Sequence, residues 1–473
     1  MGSQVENLRV KIIASLGPAS SDPETIVGLA NAGASGFRIN FTHGDEKIWK
    51  VMVEGVRSAE EKLSTPMTLI GDLQGASIRL GFVEKPIILS RGDSAKLILS
   101  EEGNPDKKLI PLPNKKVFQE LEIGDVILMD DGRVRLKVTE VSDDTAEIVA
   151  LTDAVIKSRK GIVLMNKEID FPPLTDKDIK DVEFACREDF DYIGLSYVRR
   201  ESDVLLIKKY LNELGCNVGI IAKIETRSAI YNLDRIIENS DAVLVARGDL
   251  GMNYGLEQVP YLQELIVEHS LRAGKPVIVA TQLLESMIEK PVPTRAEVVD
   301  VNAAVNEGVD ALMLTGETAV GKYPIEAVRW LKKIVEYSER KGRIKVYREG
   351  GPMKRRFAKG VTELAEDLGA KLIIYSKYGR TAKFIASLRP SVDAYVGVPS
   401  NKVMRLINIL WGVKPILVQA DSYDEGLEKT FALLFRDGYV KLGDLVILSY
   451  GMTGDEQVIK VRRVRPKTYT GNR

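Results

Sequence analysis

Lys223 and Glu225 stand two residues apart in NVGIIAKIETRSA (217–229), at the end of an apolar run holding Val218, Ile220 and Ile221. Alternate side chains of a strand share a face, so an ammonium and a carboxylate are presented together. Asp249, in the ARGDLG stretch that ends the next apolar run, adds a second carboxylate. Two oxygen donors with few other ligand types suit Mg2+ or Mn2+, which keeps its waters and shares its coordination with a phosphate. Zinc is a poor match, because the chain has only two histidines, His43 and His269, and neither cysteine is placed to help. Lys223 beside such a metal would counter the charge of a phosphoryl group in transfer. Arg38 in RINFTHG and Arg79 in ASIRLG are candidate phosphate clamps, since guanidinium forks fit phosphate oxygens. Gly248 would let the backbone come close to a ligand. Each feature alone also has an ordinary reading as a salt bridge, a solvated strand end or a turn.

What must position these groups is a series of short apolar runs: VKIIASLG, GFRINF, MTLIGDL, DYIGLSYV, VGIIAKIE, DAVLVARGD, PVIVATQ and DALMLTGE. They have strand length and are rich in β-branched residues, as strands covered on both faces are. Amphipathic segments lie between them. SDPETIVGLANAG carries a cap, a first-turn proline and a closing glycine; PTRAE (293–297) reads as a capped helix start, Thr294 facing Glu297. Eight strand–helix units before residue 345 describe a (β/α)8 TIM barrel, with an open doubly wound sheet as the alternative. In a barrel the strand C-termini converge, and nearly all of them here are polar: Ser15, Arg38 and Asn40, Asp72, Ser196, Lys223 and Glu225, Arg247 and Asp249, Thr281 and Gln282, Thr315 and Glu317. Eight such ends together point to a site.

Roughly 115 residues separate Leu73 from Asp189, where one helix would do. Their β character and Gly-Asp and Asp-Gly turns place a small β domain over 74–166, inserted at the barrel mouth; the barrel then takes 1–73 and 167–344. GGPMKRRF reads as a linker, and 345–473 as a C-terminal α/β domain with a mostly parallel sheet. At 473 residues, 44% hydrophobic and 28% charged, the chain has ample material for about three cores. Lys+Arg and Asp+Glu each number 67, so no basic field calls for nucleic acid or an anionic membrane. Cys186 and Cys216 read as reduced, half-buried thiols of a cytosolic protein. No run reaches the ~20 apolar residues that span a bilayer, no secretory leader opens the chain, and Glu6 spoils the myristoylation pattern of MGSQVE.

The blocks IIASLGPAS, GFRINFTHG, IAKIET, ARGDLG, VIVATQLLESM, PTRAEVVDV and LMLTGETAVGKYP resemble, in order and in spacing, those of the pyruvate kinase family. The resemblance covers nearly the whole chain. It implies a TIM barrel with an inserted β-barrel lid and a C-terminal regulatory α/β domain. The implied activity is cytoplasmic phosphoryl transfer from phosphoenolpyruvate to ADP, the last step of glycolysis, by a homotetramer.

By position, the resemblance assigns the divalent metal to Glu225 and Asp249, and phosphoryl stabilisation to Lys223 and Arg38. It assigns substrate carboxylate binding and protonation to Thr281 and the backbone of Ala246, Arg247, Gly248 and Asp249. Thr315 falls beside a proton relay. Asn40, His43, Arg79, the lid residue Lys160 and the lid residue Asp131 fall on the nucleotide side. Asn40, Thr42, Asp72 and the carbonyl of Leu73 match a potassium site. The third block departs from the family's Asp-Thr-Lys-Gly-Pro-Glu-Ile-Arg, reading DLQGASIR (72–79). In the family a glutamate at position 77 accompanies potassium dependence and a lysine accompanies independence; Ser77 is neither, which leaves K+ open. In YSKYGRTAKFIASLRP, residues Ser376, Lys377, Tyr378, Gly379, Arg380 and Thr381 form a strand-to-helix loop suited to an effector phosphate, alongside SYGMTGDE (449–456). A metal-dependent lyase or aldolase barrel, and a non-catalytic sensor of phosphometabolites, are the competing readings. Neither accounts for the lid and the Lys223, Glu225, Asp249 and Arg38 set together.

Overall fold

The computed structural model describes residues 8–130, 132–451 and 457–466. Eight parallel strands close into a barrel: β1 (Lys11–Leu16), β2 (Gly36–Asn40), β3 (Thr68–Asp72), β4 (Tyr192–Leu195), β5 (Gly219–Ile224), β6 (Ala242–Ala246), β7 (Val277–Ala280) and β8 (Ala311–Leu314). Pairing of β1 with β8, Lys11 opposite Ala311, completes the ring and excludes the open doubly wound sheet. Inward side chains such as Ile13, Ile70, Ile221, Leu244, Ile278 and Met313 fill the interior, so it is a packed core and not a channel. The helices between strands form where the sequence supplies caps. Asp22 accepts from Thr25 N at the start of Pro23–Ala32, and Thr294 with Glu297 forms a reciprocal capping box on Arg295–Glu307.

Between β3 and β4 the chain leaves the barrel. Strands from Ile78–Arg79 to Gly161–Leu164 build a seven-stranded sheet, with a two-stranded companion of Ile87–Leu89 and Ala154–Ile156. This unit has its own core, from Leu80 and Ile87 to Ile162 and Leu164. At the C-terminal end, four parallel strands and the antiparallel Ile459–Arg463 form a five-stranded sheet with helices packed on it. The GGPMKRRF stretch is only partly linker. A helix begins at Met353, and buried Arg355 donates to the carbonyls of Tyr347, Glu349 and Gly350, tying that connection down.

The C-terminal domain seals the N-terminal end of the barrel, opposite the strand ends that carry polar groups. Ile409 joins the interior cluster, and the Tyr192 hydroxyl donates to the Leu406 carbonyl at 2.7 Å. Arg405 pairs with Glu60, Asp189 and Asp191. Arg389 and Asp310 form a fully buried pair at 2.7 Å, and Asp310 also accepts from Trp411 N and Val277 N. Cys186 and Cys216 are not free thiols. They are joined in a disulfide, because the end of helix Asp176–Arg187 and the turn after Glu201–Glu213 lie side by side with Cα atoms 5.8 Å apart. A separation of 30 residues gave no hint of that neighbourhood. Among the described residues no helix is long and apolar enough to cross a membrane. Replacing Arg389 with Ala strands a buried carboxylate, so urea unfolding should show a loss of about 3–5 kcal/mol, whereas a surface arginine such as Arg329 should cost little.

Candidate active site

Lys223 is the centre of the barrel mouth. It leaves the end of β5 and reaches Glu225 at 3.0 Å, Asp72 at 3.3 Å and the Ser196 hydroxyl at 2.8 Å. Burial disfavours its charge, but Asp72 and Glu225 outweigh that and raise its pKa above the ordinary lysine value. Asp72 is nearly buried as well. Burial opposes its ionisation, yet Lys223 and Arg38 win and hold the carboxyl below its usual range. The Arg38 guanidinium grips Asp72 Oδ2 through Nε, at 2.9 Å, and Nη2, and touches Ser15 Oγ at 3.4 Å. β4 passes close behind: a Cβ on Gly194 would sit 2.8 Å from Asp72 Oδ1, so a glycine is needed there.

Glu225 is 1% exposed, and Tyr197 N donates to its Oε2 at 2.8 Å. The neighbouring carboxylate, Asp249, comes from the next strand. β6 does not end in a loop; helix Arg247–Tyr254 starts at its last residue, so Asp249 lies in a helical first turn. Asn253, one turn on, donates to the carbonyls of Asp249 and Glu225 and ties the two segments together. Asp249 acts on both Lys223 and Tyr197. The Tyr197 phenol is pushed well above its ordinary pKa by burial and then by Asp249 and Glu225.

Around Lys223 and Arg38 there are thus three carboxylates, Asp72, Glu225 and Asp249, one negative charge in excess of the two cations. Asp72 Oδ1 is buried without a hydrogen bond. An all-oxygen, anion-rich site of this kind fits a hard divalent ion that completes its shell with water and substrate oxygens. Glu225 and Asp249 are the residues that would hold it. The Asn40, Thr42, Asp72 and Leu73 set lies at the adjoining ends of β2 and β3, where Arg38 and Lys223 pair with Asp72, Asn40 Oδ1 accepts from Thr42 N, and the Leu73 carbonyl accepts from Ser196.

A cleft beside this cluster brings together Gly248, Asp249, Thr281, Gln282, Thr315 and Glu317. Gly248 N donates to Thr281 Oγ1 at 3.0 Å, and Thr315 lies against Glu317, which also accepts from Leu284 N. Thr281 and Gln282 follow β7 with φ of 69° and 53°, a strained pair of non-glycine residues in the left-handed region. Arg247 holds that conformation. Its guanidinium is buried, donates twice to the Thr281 carbonyl at 3.0 and 2.6 Å, and pairs with Asp300 at 2.6 Å. The side chain therefore works through Thr281, leaving residue 247 to face the cleft with its backbone. Ala246, the last residue of β6, is buried and contributes backbone only.

On the lid side, Arg79 donates to Ser77 Oγ and to the Arg159 carbonyl. His43 is half-buried near it; burial, Arg79 and Arg38 lower its pKa, so the imidazole is neutral at pH 7. Lys160 pairs with Asp130. Asp131 lies outside the described residues. In the C-terminal domain, Gly379 (φ 73°) caps helix Arg380–Ser387, Lys377 donates to the Asp421 carbonyl, and Thr381 Oγ1 meets the Tyr450 carbonyl beside Gly451. Ser376 N is spent on the Gly397 carbonyl, while Tyr378 is exposed and stacks with Arg380. Residues 452–456 lie outside the described residues. Ser196, read only as a polar strand end, is a direct partner of Lys223, and Tyr197 and Asn253 belong to the site without having been singled out. For Asn253 the signal was its four-residue offset from Asp249; for Tyr197 there was none.

A family profile for the pyruvate kinase barrel domain matches residues 7–328, and one for the pyruvate kinase alpha/beta domain matches 356–461. The chain belongs to the pyruvate kinase family. It is a phosphotransferase. It is 40% identical to the pyruvate kinase of Pyrobaculum aerophilum over 459 residues, 96% of each chain, and 38% identical to that of Aeropyrum pernix over 456 residues, 96% of this chain and 98% of that one. The fold superimposes on the crystal structure of the Pyrobaculum aerophilum pyruvate kinase with a TM-score of 0.86, covering 97% of this chain and all of that one. A pyruvate kinase from Cryptosporidium parvum, 30% identical, gives 0.85 over 97% of this chain and 96% of its own.

Arg247→Met removes both bonds to the strained Thr281 carbonyl and leaves Asp300 unpaired. Steady-state kinetics should show kcat down about 100-fold with a smaller change in KM, as expected of misplaced groups; a change in KM alone would contradict the positioning role.

Proposed function

We propose that this pyruvate kinase family member transfers the phosphoryl group of phosphoenolpyruvate to ADP, giving ATP and, after protonation of the enolate carbon, pyruvate. The carrying observation is the Lys223 ammonium, held at the barrel mouth within 3.3 Å of both Asp72 and Glu225 with Arg38 alongside. The two cations are already in place where charge spreads over the equatorial phosphoryl oxygens, so little reorganisation accompanies transfer. Lys223 binds those oxygens, and Arg38 turns part of its fork to the donor phosphate while Asp72 fixes its orientation. Mg2+ or Mn2+ on Glu225 and Asp249 supplies charge neutralisation for the donor when bound. The backbone of Gly248 and Asp249 and the Thr281 hydroxyl receive the substrate carboxylate. Thr315, against Glu317, delivers the proton to carbon by way of solvent. Asn40, His43 and Arg79, with Lys160 and Asp131 from the inserted domain, take the nucleotide, and the inserted domain closes over it to exclude water.

The same reading makes the enzyme cytoplasmic, glycolytic and homotetrameric, with lid, barrel and regulatory domain bounded at residues 73/74, 166/167 and 344/345. It also makes the 376–381 loop an effector phosphate site. Potassium is not required on this reading, because Arg38 and Lys223 supply the positive charge at Asp72.

A coupled assay of ATP formation tests the assignment. Lys223→Met should lower kcat by about 10³-fold or more, with metal binding largely kept; near-normal turnover would end it. Replacing K+ by tetramethylammonium should leave kcat within about threefold of its value, and a loss of two orders of magnitude would restore the potassium site.

A further inference from the structure

Where the C-terminal domain meets the barrel's N-terminal rim, a cavity of about 910 Å3 is left. Its roof is helix Arg380–Ser387. Its floor is the ends of helices Leu233–Asn239 and Val259–Arg272, with the turns that lead into β6 and β7. Phe384 packs so closely on Gly274 (φ 72°) that a Cβ there would lie 2.6 Å from its ring, which fixes the separation of roof and floor. The lining carries five cations, Arg272, Lys275, Lys354, Arg380 and Lys383, against three carboxylates, Asp234, Glu238 and Asp241.

These charges cancel only in part: Arg272 pairs with Glu268 outside the lining, and Lys383 and Lys208 share the field of Asp241. Lys275 Nζ rests on the carbonyls of Glu238 and Ser240, and Lys383 Nζ on the Asp241 carbonyl at 3.1 Å, so neither ammonium ends on a carboxylate oxygen. The Asp241 carboxylate is engaged by Lys208 at 3.0 Å and by Ile220 N. Asp234 is taken by His269 at 2.6 Å. Burial, followed by Lys383, lowers the Lys275 pKa to about 8; burial, with Lys208 and Arg380, lowers that of Lys383 against the opposing pull of Asp241. Half-buried ammonium groups that disfavour each other's charge are stabilised when an anion enters between them.

We propose that this interdomain cavity binds a multiply charged phosphate-type anion through Lys275, Lys383 and Arg380. The site shares Arg380 with the Ser376–Thr381 loop but lies on the barrel side of it, whereas Thr381 faces Tyr450 and Gly451. Its position gives binding a consequence. Lys275 precedes β7, whose far end is Thr281, and Asp241 precedes β6, whose far end carries Asp249, so an anion here ties the C-terminal domain to the roots of two strands of the active site. The inference does not depend on the substrate assignment.

Inorganic pyrophosphate, without divalent metal, is a suitable probe. In the full-length wild-type protein, acetylation at pH 8 followed by peptide mass spectrometry should be slowed about tenfold at Lys275 and Lys383, and not at exposed Lys47. Calorimetry should show one pyrophosphate site lost in Lys275→Gln/Lys383→Gln and kept in Thr381→Ala. Unchanged acetylation at both lysines, no binding by the wild type, or binding lost only in the Thr381 variant would overturn the proposal.

Discussion

An ammonium surrounded by carboxylates at the mouth of a closed barrel is the constraint around which the structure is arranged. A half-buried lysine stays charged only when oppositely charged groups outweigh its lost hydration, and Asp72 and Glu225 do so for Lys223. Those carboxylates are themselves buried, so they need partners in turn: Arg38 for Asp72, the Tyr197 amide for Glu225. The result is a network in which each charge is fixed by another. No member can move without exposing a buried charge, and such rigidity is what electrostatic stabilisation of a transferring group demands.

The barrel makes this possible by separating jobs between its two ends. Strand bodies are apolar and buried, which gives the packing; the strand ends are free to carry polar groups and strained backbone, as at Tyr197, Thr281 and Gln282. The opposite end is closed by Ile409 and the buried Arg389–Asp310 pair, so the C-terminal domain acts as a floor for the barrel. The disulfide between Cys186 and Cys216 adds a covalent tie on the outside of β4 and β5, the two strands that present Ser196 and Lys223.

Much of this was legible in the sequence, for identifiable reasons. A strand has a two-residue repeat, so Lys223 and Glu225 announced a shared face, and eight apolar runs with polar ends announced a convergent site. Caps such as Thr294 with Glu297 are local and were readable as written. What escaped depends on distant segments meeting. The role of Arg247 is set by Thr281 and Asp300, 34 and 53 residues on. That Asp72 is also the shared partner of Arg38 and Lys223 escaped as well, because β2, β3 and β5 bring the three together only once the barrel closes. The cysteine pairing was missed for the same reason, since two unremarkable spacings hid adjacent helix ends.

The most direct test of the shared charge network is an anomalous difference map from crystals soaked with Mn2+ and phosphoenolpyruvate. The account predicts one manganese peak between the Glu225 and Asp249 carboxylates, with the phosphoryl oxygens in hydrogen-bond reach of Lys223 and Arg38. Manganese bound elsewhere, or a phosphoryl group out of reach of Lys223, would contradict it.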